Sequence, residues 1–354
     1  MVAETTFAPP TDRGAQAWRL HVVLWVLVLL VSLFSLSIGA AGAQVRAGLM
    51  AWIATDKLDA ATRLILFDIR VPRLVLGLLV GAALAVSGAM MQGLFRNPLA
   101  DPGLVGVGAG AGLGAITAIV IGATLPPFLI NALGNYMIPL AAFFGGWGST
   151  LILYRVSTRN GRTSVATMLL AGIALAALAG AVSGILVYMA DDRQLRDLTF
   201  WGLGSLAGAT WIKVLTAGPL IAVAILSAPF MARGLNGLSL GEATAVHMGV
   251  PLERLKTGAI LTVACATGAA VAVSGGIGFV GIVVPHLLRL ATGPDHRTLL
   301  PNAALLGAIL LVLADCISRT IIAPAELPIG IVTAVLGAPI FLWILLRRRG
   351  VVDL

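Results

Sequence analysis

The chain has 354 residues, of which 59% are hydrophobic and 11% are charged, with a mean hydropathy of +1.01 and a formal net charge of +8. Soluble domains carry roughly 25% charged residues, so this composition excludes a water-soluble enzyme and predicts an all-α polytopic membrane protein. The apolar content also excludes intrinsic disorder, and no basic patch with interleaved aromatic residues indicates nucleic-acid binding.

Charge-free stretches predict ten membrane-spanning helices, because a helix crosses a bilayer with about 20 apolar residues. Pro126-Pro127 divides one long stretch, and Ser274-Gly275-Gly276 interrupts another. In chain order the predicted helices are 20–42, 73–94, 103–122, 136–155, 164–189, 209–231, 255–274, 278–291, 299–320 and 328–347.

The distribution of Lys and Arg predicts the orientation of the chain. Most of these residues face the cytoplasm if the N-terminus lies inside, and an even number of helices then puts both termini there. We therefore expect one membrane domain, 1–354, with a cytoplasmic tail at 1–19 and a bundle at 20–347. A cleavable signal peptide ending near Ala41-Gly42-Ala43 is the alternative, although the first apolar run exceeds the ~7–15 residues of a signal core.

A short repeat relates the two halves of the chain. Gly81–Gly88 reads GAALAVSG, and Gly268–Gly275 reads GAAVAVSG. Five predicted helices in each half is an odd number, so duplicated halves have to be inverted, an arrangement typical of transporters. A chance match between two helices rich in Ala and Gly is the alternative.

Glycines occupy every second position from Gly106 to Gly114 in the third predicted helix. A helix cannot put that spacing on one face. Either the helix packs closely on several sides, or it lies beside a moving pathway. The second interpretation makes Gly108 and Ala109 candidate gate or pathway residues.

Several motifs are missing from the sequence. There is no Gly-Lys-Ser/Thr phosphate loop, so the chain is not itself an ATPase, and no protease motif or metal site is predicted. Cys265 and Cys316 lie in apolar runs and indicate packing. Asp315 is the only acid deep in a predicted helix, and a pair with Arg319, four residues later, is favoured over a proton relay. An ion-coupled secondary transporter therefore remains the alternative from another class.

The loop at about 232–254 contains a candidate short helix, 238–250. Ser239 and Glu242 have the spacing of a capping box, and Gly249 is followed by Pro251. Such a helix suits a partner's groove, although an ordinary surface helix is the alternative. Its candidate contact side chains are Ala243, Val246 and Met248.

The sequence resembles the permease subunits of ABC importers for iron-siderophores, haem and cobalamin. The resemblance covers essentially the whole chain, and its motifs occur in the family's order. They are Gln92–Gly103 (QGLFRNPLADPG), Gly276–Gly281 (GIGFVG) with Pro285–Arg289 (PHLLR), and Glu326–Gly330 (ELPIG) with Leu336–Pro339 (LGAP).

The resemblance implies a fold of ten helices in two inverted five-helix halves, and a homodimer with the translocation path on its two-fold axis. It also implies a location in the bacterial inner membrane, two ATP-binding subunits that hold ATP and Mg²⁺, a periplasmic substrate-binding protein, and no permanently bound cofactor. The residues implied to couple to the ATPase are Gly241, Glu242, Ala243, Val246, His247, Met248 and Gly249.

The resemblance assigns two further groups of residues. Arg70, Arg73 and Arg319 match positions that receive glutamates of the binding protein, whereas snorkelling towards lipid headgroups is the alternative for these arginines. The inner gate region is implied at Val165, Ala166 and Thr167.

The cargo is implied by the segment Leu195–Leu206, which is most similar to the haem-importing branch. A ferric siderophore or cobalamin is the alternative cargo. We therefore expect an importer permease that moves haem as its substrate.

Overall fold

The computed structural model describes residues 13–39, 50, 59–159 and 162–347. Ten apolar helices dominate this part of the chain and confirm the ten predicted ones. Seven have the length and composition to cross a membrane, and three are shorter. We number them α1 (Arg13–Ser37), α2 (Val71–Leu94), α3 (Val107–Ile121), α4 (Met137–Ser157), α5 (Val165–Met189), α6 (Trp211–Ser239), α7 (Leu252–Ser274), α8 (Val280–Thr292), α9 (His296–Ser318) and α10 (Ile329–Arg347).

Shorter elements connect these helices. A helical segment, Ala60–Arg63 and the π-helical Leu64–Arg70, runs directly into α2. An antiparallel hairpin pairs Thr158–Arg159 with Arg162–Thr163, between α4 and α5. The other short helices are Pro127–Leu133, Asp192–Gly202 and Glu242–His247.

Two helix boundaries differ from the predicted ones. Residues 13–19 form the first turns of α1, which therefore begins before the predicted start at residue 20. The short helix after α6 spans Glu242–His247 instead of 238–250, because α6 continues to Ser239. The Ser239 hydroxyl donates to the carbonyl of Asn236 at 2.6 Å, so the predicted capping box does not form. The candidate cleavage site Ala41-Gly42-Ala43 lies outside the described residues.

Contacts between helix ends define two ends of the bundle. Arg73, at the start of α2, contacts Asp315, near the end of α9. A Cβ at Gly241 would lie 4.0 Å from the guanidinium of Arg96, just after α2. We call these the arginine end and the 242–247 end.

The first and last described helix ends lie on the same side. Asn302, in the second turn of α9, donates to the carbonyl of Ala17, so α1 begins at the 242–247 end. Glu326, just before α10, contacts Arg73, so α10 runs towards the 242–247 end. The Trp211 indole, at the start of α6, donates to Phe67 beside the arginine end. The helix α6 therefore begins at the arginine end. The first helices of the two halves, α1 and α6, thus run in opposite directions, as inverted halves require.

The repeat occupies equivalent places in the two halves. Gly81, the first residue of the first copy, lies against Gly307 of α9, where an added Cβ would overlap the Gly307 carbonyl. An added Cβ at Gly268, the first residue of the second copy, would lie 3.5 Å from a ring carbon of Phe143 of α4. The helices α4 and α9 are each the fourth of their half, so the first residue of each copy faces a fourth helix, but only Gly81 lies directly against backbone. Close backbone approach at small residues is how apolar helices associate in lipid.

The alternating glycines of α3 divide into two faces. Gly110 and Gly114 abut α4, where added Cβ atoms would overlap the carbonyls of Gly145 and Ala141. An added Cβ at Gly108 or Gly112 would have nothing within 4 Å. Close packing therefore explains one set of glycines, and the other set borders open space.

Candidate functional site

A buried ion-pair cluster lies at the arginine end. The Nε and Nη2 atoms of Arg73 donate to both carboxylate oxygens of Asp315, at 2.8 to 3.1 Å. Its Nη1 and Nη2 atoms also donate to Glu326, at 2.8 and 3.0 Å. Arg73 is 7% exposed and the side chain of Asp315 is 4% exposed. Two forked contacts from one guanidinium thus join α2, α9 and the segment before α10.

The other two arginines complete this cluster. The Nε of Arg319 lies 3.5 Å from Asp315, which confirms the predicted pair on one face of α9. The Nη2 of Arg319 donates to the carbonyl and the hydroxyl of Ser35, at 3.0 and 2.6 Å. Arg70 donates to the carbonyl of Leu36. The cluster therefore also holds the end of α1 against α2 and α9.

All three predicted docking arginines are buried, and each bonds to acceptors of its own chain. The sequence indicated that Asp315 lies beside Arg319 but gave no sign of its contact with Arg73. The role of Glu326 was also missed, since its partner is 253 residues away.

The segment Glu242–His247 presents apolar side chains away from the bundle. Val246 is 55% exposed and Met248 is 60% exposed, whereas Ala245 is fully buried. Leu240, 64% exposed, extends this surface and was missed by the sequence argument. The remaining predicted residues Glu242, Ala243, His247 and Gly249 are also exposed.

Glycines set both ends of this short helix. Gly241 precedes it with a φ of 109°, and Gly249 follows it with a φ of 81°. The amide of Gly249 donates to Val246, and the amide of Val250 donates to Ala245, which is a Schellman motif. Gly249 thus ends the helix as predicted.

Polar contacts seat the end of α6 on α9. The Asn236 amide donates to Asp295 at 2.7 Å and accepts from the backbone of His296 at 2.9 Å. Hydrogen bonds from Arg297 hold the pKa of Asp295 well below its usual range, so this carboxylate stays ionised at the start of α9.

A buried lysine lies between the 242–247 segment and the hairpin. Lys256 is 2% exposed, and its ammonium contacts Glu242 at 3.0 Å and Glu253 at 3.7 Å. It also donates to the carbonyl of Thr163 at 3.0 Å. Sequence reasoning assigned no role to Lys256, although its spacing from Glu253 was a readable sign of a helical ion pair.

The predicted gate residues lie directly after this hairpin. The Ser164 hydroxyl caps α5 by accepting from the backbone amide of Thr167 at 3.3 Å. Ala166 and Thr167 are exposed, and Val165 is the first residue of α5.

The other two predicted pathway residues, Gly108 and Ala109, lie in the first turn of α3. Gly108 is exposed and borders a cavity of about 280 Å³, which Asp101 and Thr267 also line, and Ala109 is partly buried. Within the described ranges, no group of three His, Cys, Asp or Glu side chains could hold a metal ion, and both cysteines are free.

Comparison with known proteins accounts for this architecture. The family model of the FecCD transport family matches residues 27–347. The chain belongs to the FecCD transport family. It is therefore a membrane transport subunit, and in this family ATP hydrolysis is carried by separate subunits.

Individual members of the FecCD family agree with this assignment. The chain is 47% identical to the hemin transport system permease protein HmuU of Yersinia pestis, over 92% of this chain and 95% of that protein. It is 43% identical to the vitamin B12 import system permease protein BtuC of Salmonella typhi, over 97% and 98%. It is also similar to a solved inward-facing metal-chelate type ABC transporter, with a TM-score of 0.81, 31% identity, and coverage of 93% and 99%.

Proposed function

We propose that this chain is the permease subunit of an ATP-driven importer that moves haem from the periplasm to the cytoplasm. The observation that carries the proposal is the 47% identity to a hemin permease over nearly the whole of both chains. The 242–247 end would face the cytoplasm of a bacterial inner membrane, and both termini would lie on that side.

The proposed assembly contains two copies of this chain, two ATP-binding subunits and a periplasmic binding protein. Exposed apolar side chains along α5, such as Leu170 at 70% and Ile173 at 67%, suit contact with lipid or with a second copy. The exposed Val246 and Met248 suit a groove of the ATP-binding subunit. ATP and Mg²⁺ would be held by that partner, and the gate would form around 165–167 and Gly108.

Docking of the binding protein would occur at the arginine end. Arg73 already contacts two carboxylates, and Glu326 is the more exposed of them at 37%. A carboxylate of the binding protein would therefore replace Glu326 on Arg73 and leave the buried Asp315 in place. Arg70 and Arg319 would contribute positive charge beneath this surface.

A cobalamin or ferric siderophore cargo is the second candidate, because BtuC is 43% identical over 97% of this chain. Ion coupling has less support. The carboxylate of Asp315 is shared by Arg73 and Arg319, which leaves no open position for a transported ion.

Uptake into vesicles tests this function. With the ATP-binding subunits, the binding protein and internal ATP, we expect hemin to enter the vesicles. We expect uptake to stop without ATP and to be unchanged by ionophores. Cobalamin and a ferric siderophore are the competing cargoes in parallel assays. Uptake without the ATP-binding subunits would contradict the proposal, and preferred uptake of cobalamin would replace haem as the cargo.

The 242–247 surface allows a separate prediction. We expect Met248→Ala to weaken binding of the ATP-binding subunit by about tenfold. Truncation of an apolar anchor that the complex buries costs 1 kcal/mol or more, and about 1.4 kcal/mol corresponds to tenfold in affinity. Titration in detergent micelles measures this affinity. Met189→Ala is the matched control, because Met189 is 66% exposed at the far end of α5. Equal affinities of the two variants would remove Met248 from the interface.

A further inference from the structure

Lys256 is a buried charged residue that belongs to neither of the proposed partner surfaces. It lies in the first turns of α7, and its ammonium is enclosed by three acceptors from three segments. A lysine ammonium has three N–H donors, and a buried charge is stable only when such donors are paired. One charge therefore holds together the short helix, α7 and the hairpin.

The hairpin side of this contact is itself fixed by a second acid. The Glu253 carboxylate accepts from the backbone amide and the hydroxyl of Thr163, both at 3.0 Å. The Thr163 hydroxyl also bonds to Thr158 at 3.0 Å across the hairpin. Thr163 thus uses its amide, carbonyl and hydroxyl in this network, so a displacement of Lys256 is transmitted to the hairpin backbone.

The hairpin leads without a break into α5. The amide of Ser164, which follows Thr163, donates to Ser157 at 2.9 Å, and the Ser164 hydroxyl caps the first turn of α5. Among the described residues, no hydrogen bond or ion pair joins the 242–247 segment to the hairpin except through Lys256. Lys256 is therefore the one polar contact, among the described residues, between the short helix and the hairpin that leads into α5.

We infer that Lys256 is the positioning residue that couples displacement of the 242–247 segment to the start of α5. The inference rests on the proposed function, in which the ATP-binding subunit contacts this segment, and it adds that ATP binding there displaces the segment. Displacement of Glu242 shifts the Lys256 ammonium through their ion pair, and Lys256 shifts the carbonyl of Thr163 through their hydrogen bond. The movement of Thr163 then reorients the capped first turn of α5. This role of Lys256 differs from that of the exposed Val246 and Met248, which would bind the partner subunit without contacting α5.

The test compares Lys256→Met and Glu242→Gln with the unmodified chain in the full reconstituted transporter. Methionine keeps the length of the lysine and removes its charge, and both acids are partly exposed, so their charges remain solvated. We expect Lys256→Met to retain ATP hydrolysis while hemin uptake per ATP falls by about tenfold, and we expect Glu242→Gln to lower hemin uptake per ATP in the same direction. Arg254→Gln is the matched control, because Arg254 is exposed on the same helix, and its uptake per ATP should stay unchanged.

A structural readout separates coupling from simple loss of activity. Hydrogen exchange, followed by mass spectrometry of the peptide covering 157–168, should respond to ATP in the unmodified transporter. In Lys256→Met that response should disappear, while the 242–247 peptide still responds. Uptake within about threefold of normal in Lys256→Met, or a preserved hairpin response, would overturn the inference.

Two further outcomes have distinct meanings. If Lys256→Met does not fold, Glu242→Gln decides the question, with its affinity for the ATP-binding subunit measured as for Met248→Ala. A loss of affinity that accounts for the whole fall in uptake would overturn the inference. If the unmodified chain transports none of the three cargoes, the proposed function fails, and this result differs from selective uncoupling by the variants. Equal uncoupling by Arg254→Gln would overturn the specific role of Lys256.

Discussion

Replacing Asp315 with alanine is expected to lower the free energy of unfolding by about 3–5 kcal/mol. Asp315 is the shared partner of Arg73 and Arg319, both 7% exposed. Its loss leaves Arg73 with the partly exposed Glu326 and removes the carboxylate partner of Arg319. Thermal or denaturant unfolding of the purified chain in detergent measures this loss.

Two variants calibrate the expected loss for Asp315→Ala. Arg73→Ala should cost less, because Asp315 keeps Arg319 at 3.5 Å. Asp192→Ala removes an exposed carboxylate from the short helix Asp192–Gly202 and should change stability by no more than about 0.5 kcal/mol. If Asp315→Ala unfolds like Asp192→Ala, the buried cluster does not stabilise the arginine end.

A second large effect is expected from Gly114→Ala in α3. An added Cβ would overlap the backbone carbonyl of Ala141, and a backbone atom cannot rotate out of the way. The helices α3 and α4 would therefore have to separate, at a cost of about 1–3 kcal/mol. The midpoint of thermal unfolding in detergent should fall accordingly.

Gly112→Ala provides the matched control in the same helix, two residues away. Nothing lies within 4 Å of a Cβ at Gly112, so alanine should be tolerated or should stabilise α3 by up to about 1 kcal/mol. The sign of the effect thus distinguishes the two faces. Similar losses in both variants would contradict the division of the α3 glycines into a packed and an open face.

Helix positions were predictable because crossing a membrane is a local property. A run of about 20 apolar residues has to form a helix, since no water satisfies its backbone groups. The predicted end of α7 at residue 274 and the start of α4 near 136 agree with the structure within one residue. The missed elements, Asp192–Gly202 and the hairpin, are short and polar and carry no such requirement.

The sequence alone determined the class of protein, the ten helices, the related halves and the resemblance to a transport family, because apolar length, Gly and Pro positions and contiguous motifs are all readable along the chain. Only the tertiary structure decided which polar groups meet. Arg73 finds Asp315 across 242 residues, and Lys256 finds Thr163 across 93. Such pairs depend on how helices pack, and that packing is set by small residues such as Gly110 whose neighbours no local pattern reveals.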